Sequence, residues 1–168
     1  MSVAFRRESD DEHLEPVFEL PIPPGPNLVT ERGLALIRTQ VEACEDKVQA
    51  LVAEGADEAV IKKARREQRY WSTRAATAEL LPAPDGDTVA FGCSVQYRLN
   101  GKARWITIVG DDEADPAAGL IAWSAPLARA MMEAEEGELV DFGGKAEAIE
   151  VLAIRPAYLA AEGTYSVG

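Results

Sequence analysis

Residues 30–81 read TERGLALIRTQVEACEDKVQALVAEGADEAVIKKARREQRYWSTRAATAELL, and this stretch decides the fold. Mostly apolar residues recur in it at spacings of 3 and 4, in two runs separated by Gly55-Ala56. We call these residues the seam, because they are expected to form the contact between two helices. Narrow stripes of this kind are typical of two helices packed against each other, so the sequence predicts an antiparallel helical hairpin. The first stripe comprises Leu34, Ile37, Val41, Cys44, Val48 and Leu51, and the second comprises Ile61, Ala64, Gln68, Trp71, Ala75 and Ala78.

The ends of the two predicted helices carry suitable residues. Thr30 is an expected N-cap, and Glu31 suits the positive end of a helix dipole. The second helix is expected to run from Asp57 to about Leu81. Arms of about 25 residues would each be roughly 37 Å long. Because the stripes are too narrow to cover a globular core, we expect the hairpin to project into solvent.

Beyond residue 81 the periodicity changes. Residues 82–88, rich in proline, aspartate and glycine, predict a linker, and residues 89–156 a sheet domain with turns at Asn100-Gly101 and Gly143-Gly144. The predicted fold class is α+β: the hairpin, then an antiparallel sheet carrying one short helix. Strands are predicted over residues 89–99, 103–109, 120–123, 138–142 and 147–154, and the helix over 125–134.

The composition excludes several classes of protein. Residues 1–29, acidic and then proline-rich, predict a disordered tail, and residues 157–168 a frayed end. No apolar run approaches the ~20 residues of a membrane span, and no secretory signal is evident, so we expect a cytoplasmic monomer without membrane contact. The net charge of −12 opposes nonspecific binding to duplex DNA. Cys44, Cys93 and His13 are too few for a Cys/His metal site, and both cysteines are expected to be small buried apolar residues.

A cluster of cations lies in the second predicted helix. Between residues 61 and 74 only Glu67 is acidic. The cluster fits either an ordinary solvated helix face or a surface for phosphate or acidic groups, and its concentration in an acidic chain favours the second interpretation. Its members are Lys62, Lys63, Arg65, Arg66, Arg69 and Arg74.

Carboxylates cluster at the predicted tip of the hairpin. Asp57 and Glu58 follow the break, and Glu54 precedes it. These acids could simply offset the dipole of the second helix. Alternatively, paired carboxylates on a projecting tip could complete a Mg²⁺ site on another molecule, because Mg²⁺ takes one or two carboxylates plus water. The local residues leave both interpretations open.

The segment from Ile106 to Phe142, ITIVGDDEADPAAGLIAWSAPLARAMMEAEEGELVDF, resembles the C-terminal domain of the GreA/GreB transcript-cleavage factors. The family motif runs IVG-x-x-EAD, IS-x-x-SP-hydrophobic-x-x-AL and G-D-x-V. The resemblance extends over residues 28–156 and is most specific in the C-terminal half. Matching residues are Val109, Gly110, Glu113, Ala114, Asp115, Ile121, Pro126, Leu127, Ala130, Gly137 and Val140.

The resemblance implies an FKBP-like domain that docks on the rim helices of the secondary channel of bacterial RNA polymerase. The hairpin would enter the channel and stimulate the polymerase's own cleavage of backtracked RNA, so the factor would have no active site of its own. Asp57 and Glu58 would be the tip acids that share the polymerase Mg²⁺. Lys62, Lys63, Arg65, Arg66 and Arg69 would face the RNA 3′ end or the channel walls. Docking residues would be Asp111, Asp112, Glu113, Ser124 and Pro126.

The tip departs from the family pattern, which reads roughly GD-x-x-ENAEY. Here the segment EGADEAVIK has adjacent acids rather than acids three apart, and adjacent helical residues diverge by about 100°. Each arm is also about two turns, roughly 10 Å, shorter than in the cleavage factors. These departures keep a second hypothesis open, a non-cleaving regulator of the same channel. A prolyl isomerase would need an aromatic-lined pocket, and a free-standing nuclease a full set of metal ligands; the sequence favours neither.

Overall fold

The computed structural model describes residues 19–157, so the outer parts of both predicted tails, 1–18 and 158–168, lie outside the described residues. Two long helices precede a five-stranded sheet that carries one short helix, which confirms the predicted fold class. The helices are α1 (Glu31–Ala53), α2 (Glu58–Thr77) and α3 (Pro126–Met131). The strands are β1 (Leu28–Val29), β2 (Glu79–Leu80), β3 (Cys93–Leu99), β4 (Lys102–Val109), β5 (Leu120–Ala122), β6 (Leu139–Phe142) and β7 (Lys145–Pro156).

The predicted seam holds α1 and α2 together. Ile37, Cys44 and Ala64 are buried, and every other seam residue is at least partly covered. Lys47 and Glu67 join the two helices across the seam, with 3.3 Å between Nζ and Oε2. Burial raises the pKa of the Cys44 thiol, as expected for a residue that serves as a small apolar one. In the described part of the chain, no helix is both long and apolar enough to span a bilayer.

The sheet has the strand order β5-β4-β3-β7-β6. Its strand pairs are antiparallel as predicted, except that β4 and β5 are parallel, with Thr107 opposite Leu120. The ten-residue connection from Gly110 to Gly119 explains this difference. It carries the chain back along β4, so that β5 begins opposite Thr107, near the end of β4, and runs in the same direction.

One face of the sheet forms the core of the domain. Side chains alternate along β3, so that Cys93, Val95 and Tyr97 point into the core. Helix α3 covers this face with Ala128 and Met131, both fully buried. The predicted turn at Asn100-Gly101 is present, with positive φ at both residues, as a two-residue hairpin requires.

Helix α2 ends at Thr77, four residues before the predicted end at Leu81. The next residues leave the helix because β2 pairs with β1 in a short parallel ladder, with Leu28 opposite Glu79. The N–H of Glu79 donates to the carbonyl of Asn27 (2.8 Å). The segment before α1, residues 19–29, is called the lead-in from here on. Its residues 27–29 are bound to the base of the hairpin, where the sequence predicts a disordered tail.

Arg74, the last member of the cation cluster in sequence, lies at the centre of a buried polar junction. Its side chain is 2% exposed, and its Nε donates to Oδ2 of Asp112 (2.6 Å) in the sheet domain. Its Nη2 donates to Oδ1 of Asn27 (2.7 Å), while Nδ2 of Asn27 donates to the Arg74 carbonyl (2.8 Å). Tyr70, one turn before Arg74, donates its hydroxyl to Oδ1 of Asp112 (2.5 Å). One guanidinium therefore connects the hairpin, the lead-in and the sheet domain.

A second contact ties the start of α1 to the same domain. Thr30 caps α1 by accepting from the N–H of Gly33 (3.0 Å), as predicted, and its hydroxyl also donates to the buried carboxylate of Glu113 (2.5 Å). Gly110 lies so close to the lead-in that an added Cβ would overlap the carbonyl oxygen of Leu28. The loop from Gly110 to Glu113 is thus shaped to hold the base of the hairpin.

We expect the Arg74→Ala variant to lower the free energy of unfolding by about 3–5 kcal/mol, because it leaves the buried Asp112 carboxylate without its cation. The matched control is Arg65→Ala on the exposed side of α2, with an expected change within about 0.5 kcal/mol. Urea unfolding followed by circular dichroism measures both. Equal losses in the two variants would contradict the role given to the junction.

The junction also predicts an alkaline limit to stability. Burial, and then the hydrogen bond to Asp112, raise the pKa of Tyr70 to about 12. An unfolded tyrosine has a pKa of about 10, so this stabilisation is complete below pH 10 and is lost as the pH rises towards 12. The phenolate absorbance of the wild type minus that of Tyr70→Phe should titrate well above pH 10. A difference that titrates near pH 10 would show that Tyr70 is not held in this way.

Candidate functional site

The tip of the hairpin is a tight turn that exposes its acids. Helix α1 ends at Ala53 with Glu54 as its C-cap, and Gly55 adopts a left-handed conformation with φ of 69°. A Cβ on Gly55 would meet no atom within 4 Å, so glycine is required there for its backbone conformation. Glu54, Asp57 and Glu58 are all exposed. The predicted tip acids therefore do lie at the end of the hairpin.

Asp57 and Glu58 differ in their backbone. Asp57 is the N-cap of α2, with an extended ψ of 143°, and its side chain makes no capping hydrogen bond. Glu58 is the first helical residue, and its Oε1 lies 3.3 Å from Nζ of Lys62. Because Asp57 lies outside the helix, the 100° divergence expected for adjacent helical residues does not separate the two carboxylates.

The tip acids are too few to form a metal site alone. Within residues 19–157 no group of three or more His, Cys, Asp or Glu side chains could hold a metal ion. Two exposed carboxylates suit the part-ligation that Mg²⁺ accepts when other ligands and water complete its shell. They therefore fit a Mg²⁺ ion only as additional ligands to a site on another molecule.

The cation cluster of α2 is only partly on the surface. Lys62, Lys63, Arg65 and Arg69 are exposed, whereas Arg66 is half-buried and its Nε has no hydrogen-bond partner in the described part of the chain. Lys62 is paired with Glu58, and Arg69 with Glu19. The four exposed cations are called the basic face from here on, and they lie between the tip and the middle of α2. They are Lys62, Lys63, Arg65 and Arg69.

The predicted docking residues divide into two groups. The carboxylates of Asp112 and Glu113 are 5% and 1% exposed and bind the base of the hairpin from within the molecule. Asp111 is more accessible, and its Oδ1 accepts from the hydroxyl of Ser124 (3.2 Å). Ser124 and Pro126, at the start of α3, are exposed. The surface part of the predicted docking site therefore consists of Asp111, Ser124 and Pro126.

Sequence reasoning missed the residues that connect the two parts of the chain. The sequence predicts a disordered tail at Asn27 and indicates no role for Tyr70. A signal was present, because Tyr70 and Arg74 lie four apart and share a side of α2 next to the seam positions Trp71 and Ala75. Their common partner, Asp112, could not be identified without the fold.

A cleft of about 360 Å³ lies where the linker meets the base of the hairpin. Phe91 is the single aromatic residue in its lining, which is otherwise mostly aliphatic. An aromatic-lined substrate pocket of the kind expected for a prolyl isomerase is therefore not present in this cleft. Its lining consists of Thr30, Glu31, Leu80, Leu81, Pro82, Ala83, Pro84, Phe91 and Gly92.

Comparison with known proteins identifies the sheet domain. Residues 83–156 match the family described as "Transcription elongation factor, GreA/GreB, C-term". The chain is 37% identical over 76 residues to the transcription elongation factor GreA of Desulfovibrio desulfuricans, covering 43% of this chain and 47% of that one. It is 40% identical over 72 residues to GreB of Neisseria meningitidis serogroup A, covering 40% and 44%. Each match thus spans less than half of the relative's length.

The solved structure of the GreA factor homolog Gfh1 of Thermus thermophilus aligns with 78% of this chain and 99% of its own, at 16% identity and a TM-score of 0.36. So low a score carries no inference about the hairpin. The assignment depends on the sequence match over residues 83–156, which includes the loop from Gly110 to Glu113 and helix α3. Residues 83–156 are therefore similar to the C-terminal domain of the GreA/GreB transcription elongation factors.

Proposed function

We propose that this chain acts as a transcription elongation factor that binds the rim helices of the secondary channel of bacterial RNA polymerase and stimulates cleavage of backtracked RNA. The observation that carries the proposal is the arrangement of the hairpin. Its base is bound to a GreA/GreB domain through buried Arg74, and its far end exposes Asp57 and Glu58. At 1.5 Å per residue, the 23-residue α1 extends roughly 35 Å from that base.

The sheet domain supplies the docking surface in this proposal. Ser124 and Pro126 are exposed, and the Asp111 side chain, 17% exposed, lies beside Arg74 at the base of the hairpin, with 3.9 Å between its Oδ2 and Nη2 of Arg74. Asp112 and Glu113 act indirectly, because they bind Arg74 and Thr30 and so set the direction in which the hairpin leaves the domain. Docking at the rim would therefore direct the tip into the channel.

The tip acids add negative charge next to the polymerase active centre. Asp57 and Glu58 would share the Mg²⁺ ion there, which supplies Lewis-acid activation of water for attack on a phosphodiester. Asp57 is available for this role because its side chain makes no capping bond. Glu58 must release Lys62 to do the same, and an exposed pair of this kind is weak.

The basic face accounts for the position of the RNA in this proposal. Lys63 and Arg65 are exposed within two turns of the tip, where they can contact phosphates of the RNA 3′ end or acidic groups of the channel wall. Lys62 joins them once it separates from Glu58. The face would hold the RNA without selecting a base sequence, because phosphate contacts carry no sequence information directly.

The non-cleaving regulator remains the second candidate, and two observations favour it. The two helices have 23 and 20 residues, roughly 35 and 30 Å, so both arms are shorter than the roughly 37 Å expected from the sequence. Lys62 also neutralises part of the charge of Glu58 at the tip. A factor with these properties would dock in the same way, occupy the channel and slow nucleotide entry without supplying carboxylates to the metal.

The two candidates predict different fates for a stalled transcript. With polymerase backtracked in the presence of Mg²⁺, we expect the wild-type chain to shorten the RNA from its 3′ end. Asp57→Ala/Glu58→Ala should slow this cleavage by about 10- to 100-fold, because it removes both carboxylates offered to the metal. Glu54→Ala, which removes a neighbouring exposed acid, is the matched control and should cleave at the wild-type rate. Gel electrophoresis of end-labelled RNA measures the rate.

The same assay contains the result that refutes stimulated cleavage. RNA of unchanged length, together with slower nucleotide addition in the presence of the wild-type chain, would establish the non-cleaving regulator. No effect on either reaction, with no binding to polymerase, would remove both candidates.

A further inference from the structure

The lead-in contributes an acid to the basic face. Glu19 lies 50 residues before Arg69 in sequence, yet its carboxylate is held by three hydrogen bonds from that guanidinium. Nε of Arg69 donates to both carboxylate oxygens (3.1 Å each), and Nη2 donates to Oε1 (2.6 Å). Both side chains remain about half exposed. The Arg69 guanidinium therefore binds the Glu19 carboxylate in a bidentate way on the protein surface.

The electrostatics of the pair agree with its geometry. The hydrogen bond from Arg69 lowers the pKa of Glu19, and the nearby charge of Arg66 acts in the same direction. The hydrogen bond to Glu19 in turn raises the pKa of Arg69. Both groups are therefore charged at neutral pH, and Glu19 cancels one of the exposed cations of the basic face.

The anchored end of the lead-in tethers Glu19 near Arg69. Eight residues further on, Asn27 is buried and binds the Arg74 carbonyl and the hydroxyl of Thr77 (2.8 and 3.2 Å). Arg74 lies little more than one turn beyond Arg69 on α2. The tethered carboxylate therefore stays close to Arg69 even when the pair opens, which gives it a high effective concentration.

A guanidinium fork binds carboxylate and phosphate with the same geometry, and it can hold only one of them in this bidentate way. We propose that Glu19 is an internal competitor that occupies Arg69 until the phosphodiester backbone of single-stranded RNA displaces it. The inference rests on the proposed function, because the basic face meets RNA only if the hairpin enters the channel. Glu19 would weaken binding of other nucleic acids to the basic face, and RNA held in the channel would displace it from Arg69.

The spacing of the basic face favours RNA over an acidic protein surface. Lys62, Arg65 and Arg69 lie three and four residues apart, which places successive cations about 5 Å apart along α2. This regular row of cations suits single-stranded RNA, a flexible chain with one negative charge on each nucleotide. Binding such a chain also releases counterions, so that each available cation adds to the affinity at low salt.

The test measures affinity for RNA in the absence of polymerase. A short fluorescein-labelled single-stranded RNA is titrated with the full chain at low salt, and binding is followed by fluorescence anisotropy. Glu19→Gln should bind about two- to fivefold more tightly than the wild type, a gain of the size expected for release of one exposed ion pair. In an Arg69→Gln background, Glu19→Gln should make no difference. Asp85→Asn, which removes one exposed acid of the linker, should bind like the wild type and so controls for net charge.

Several results would overturn the inference. These are equal affinities of Glu19→Gln and the wild type, an equal gain with Asp85→Asn, a gain that persists without Arg69, or no RNA binding by any variant. A gain for polyglutamate but not for RNA would instead assign the surface to an acidic protein, and would refute RNA as the competitor. Because polymerase is absent, failure here leaves the cleavage assay intact, and failure of cleavage leaves this measurement intact.

Discussion

The ion pair between Arg74 and Asp112 is the contact on which the rest of the structure depends. Removing a guanidinium and a carboxylate from water is costly, and burial of the pair is tolerated only when the remaining donors and acceptors are satisfied. Asn27 and Tyr70 supply those partners, one from the lead-in and one from α2 itself. The need to satisfy every buried group permits few alternative arrangements. The pair therefore sets the orientation of the hairpin on the sheet domain, whatever its net contribution to stability.

The residues of the loop from Gly110 to Glu113 have different roles around this ion pair. Asp112 and Glu113 face inward and hold the hairpin, and Gly110 allows the lead-in to pass close by. Asp111 stays near the surface beside Ser124. The loop from Gly110 to Glu113, which resembles a docking motif, therefore mainly forms the internal junction with the hairpin. In the function proposed here, docking of the domain places the tip of the hairpin, about 35 Å away, because this junction sets the direction of the hairpin.

The parts of the fold that repeat locally could be predicted from the sequence. The seam of the hairpin follows from its spacing of 3 and 4, and the turn at Asn100-Gly101 from its residue types. The junction could not be predicted, because Arg74 meets Asn27 and Asp112 from 47 and 38 residues away. The same distance explains the error at the end of α2, which stops at Thr77 because the lead-in pairs with the residues that follow. The sequence groups Arg74 with the cations of α2 and gives no sign that it is buried. The acids of the tip were located correctly, yet only the backbone shows that Asp57 lies outside the helix.

In the proposed function, the junction around Arg74 directs the tip of the hairpin to the polymerase active centre. A photo-crosslinking residue placed at Ala56, between the two helices, tests this directly in a complex of the chain with backtracked polymerase. We expect crosslinks to the 3′ end of the RNA and to the polymerase residues around the catalytic Mg²⁺. Crosslinks confined to the outer rim of the channel, or none at all, would contradict it.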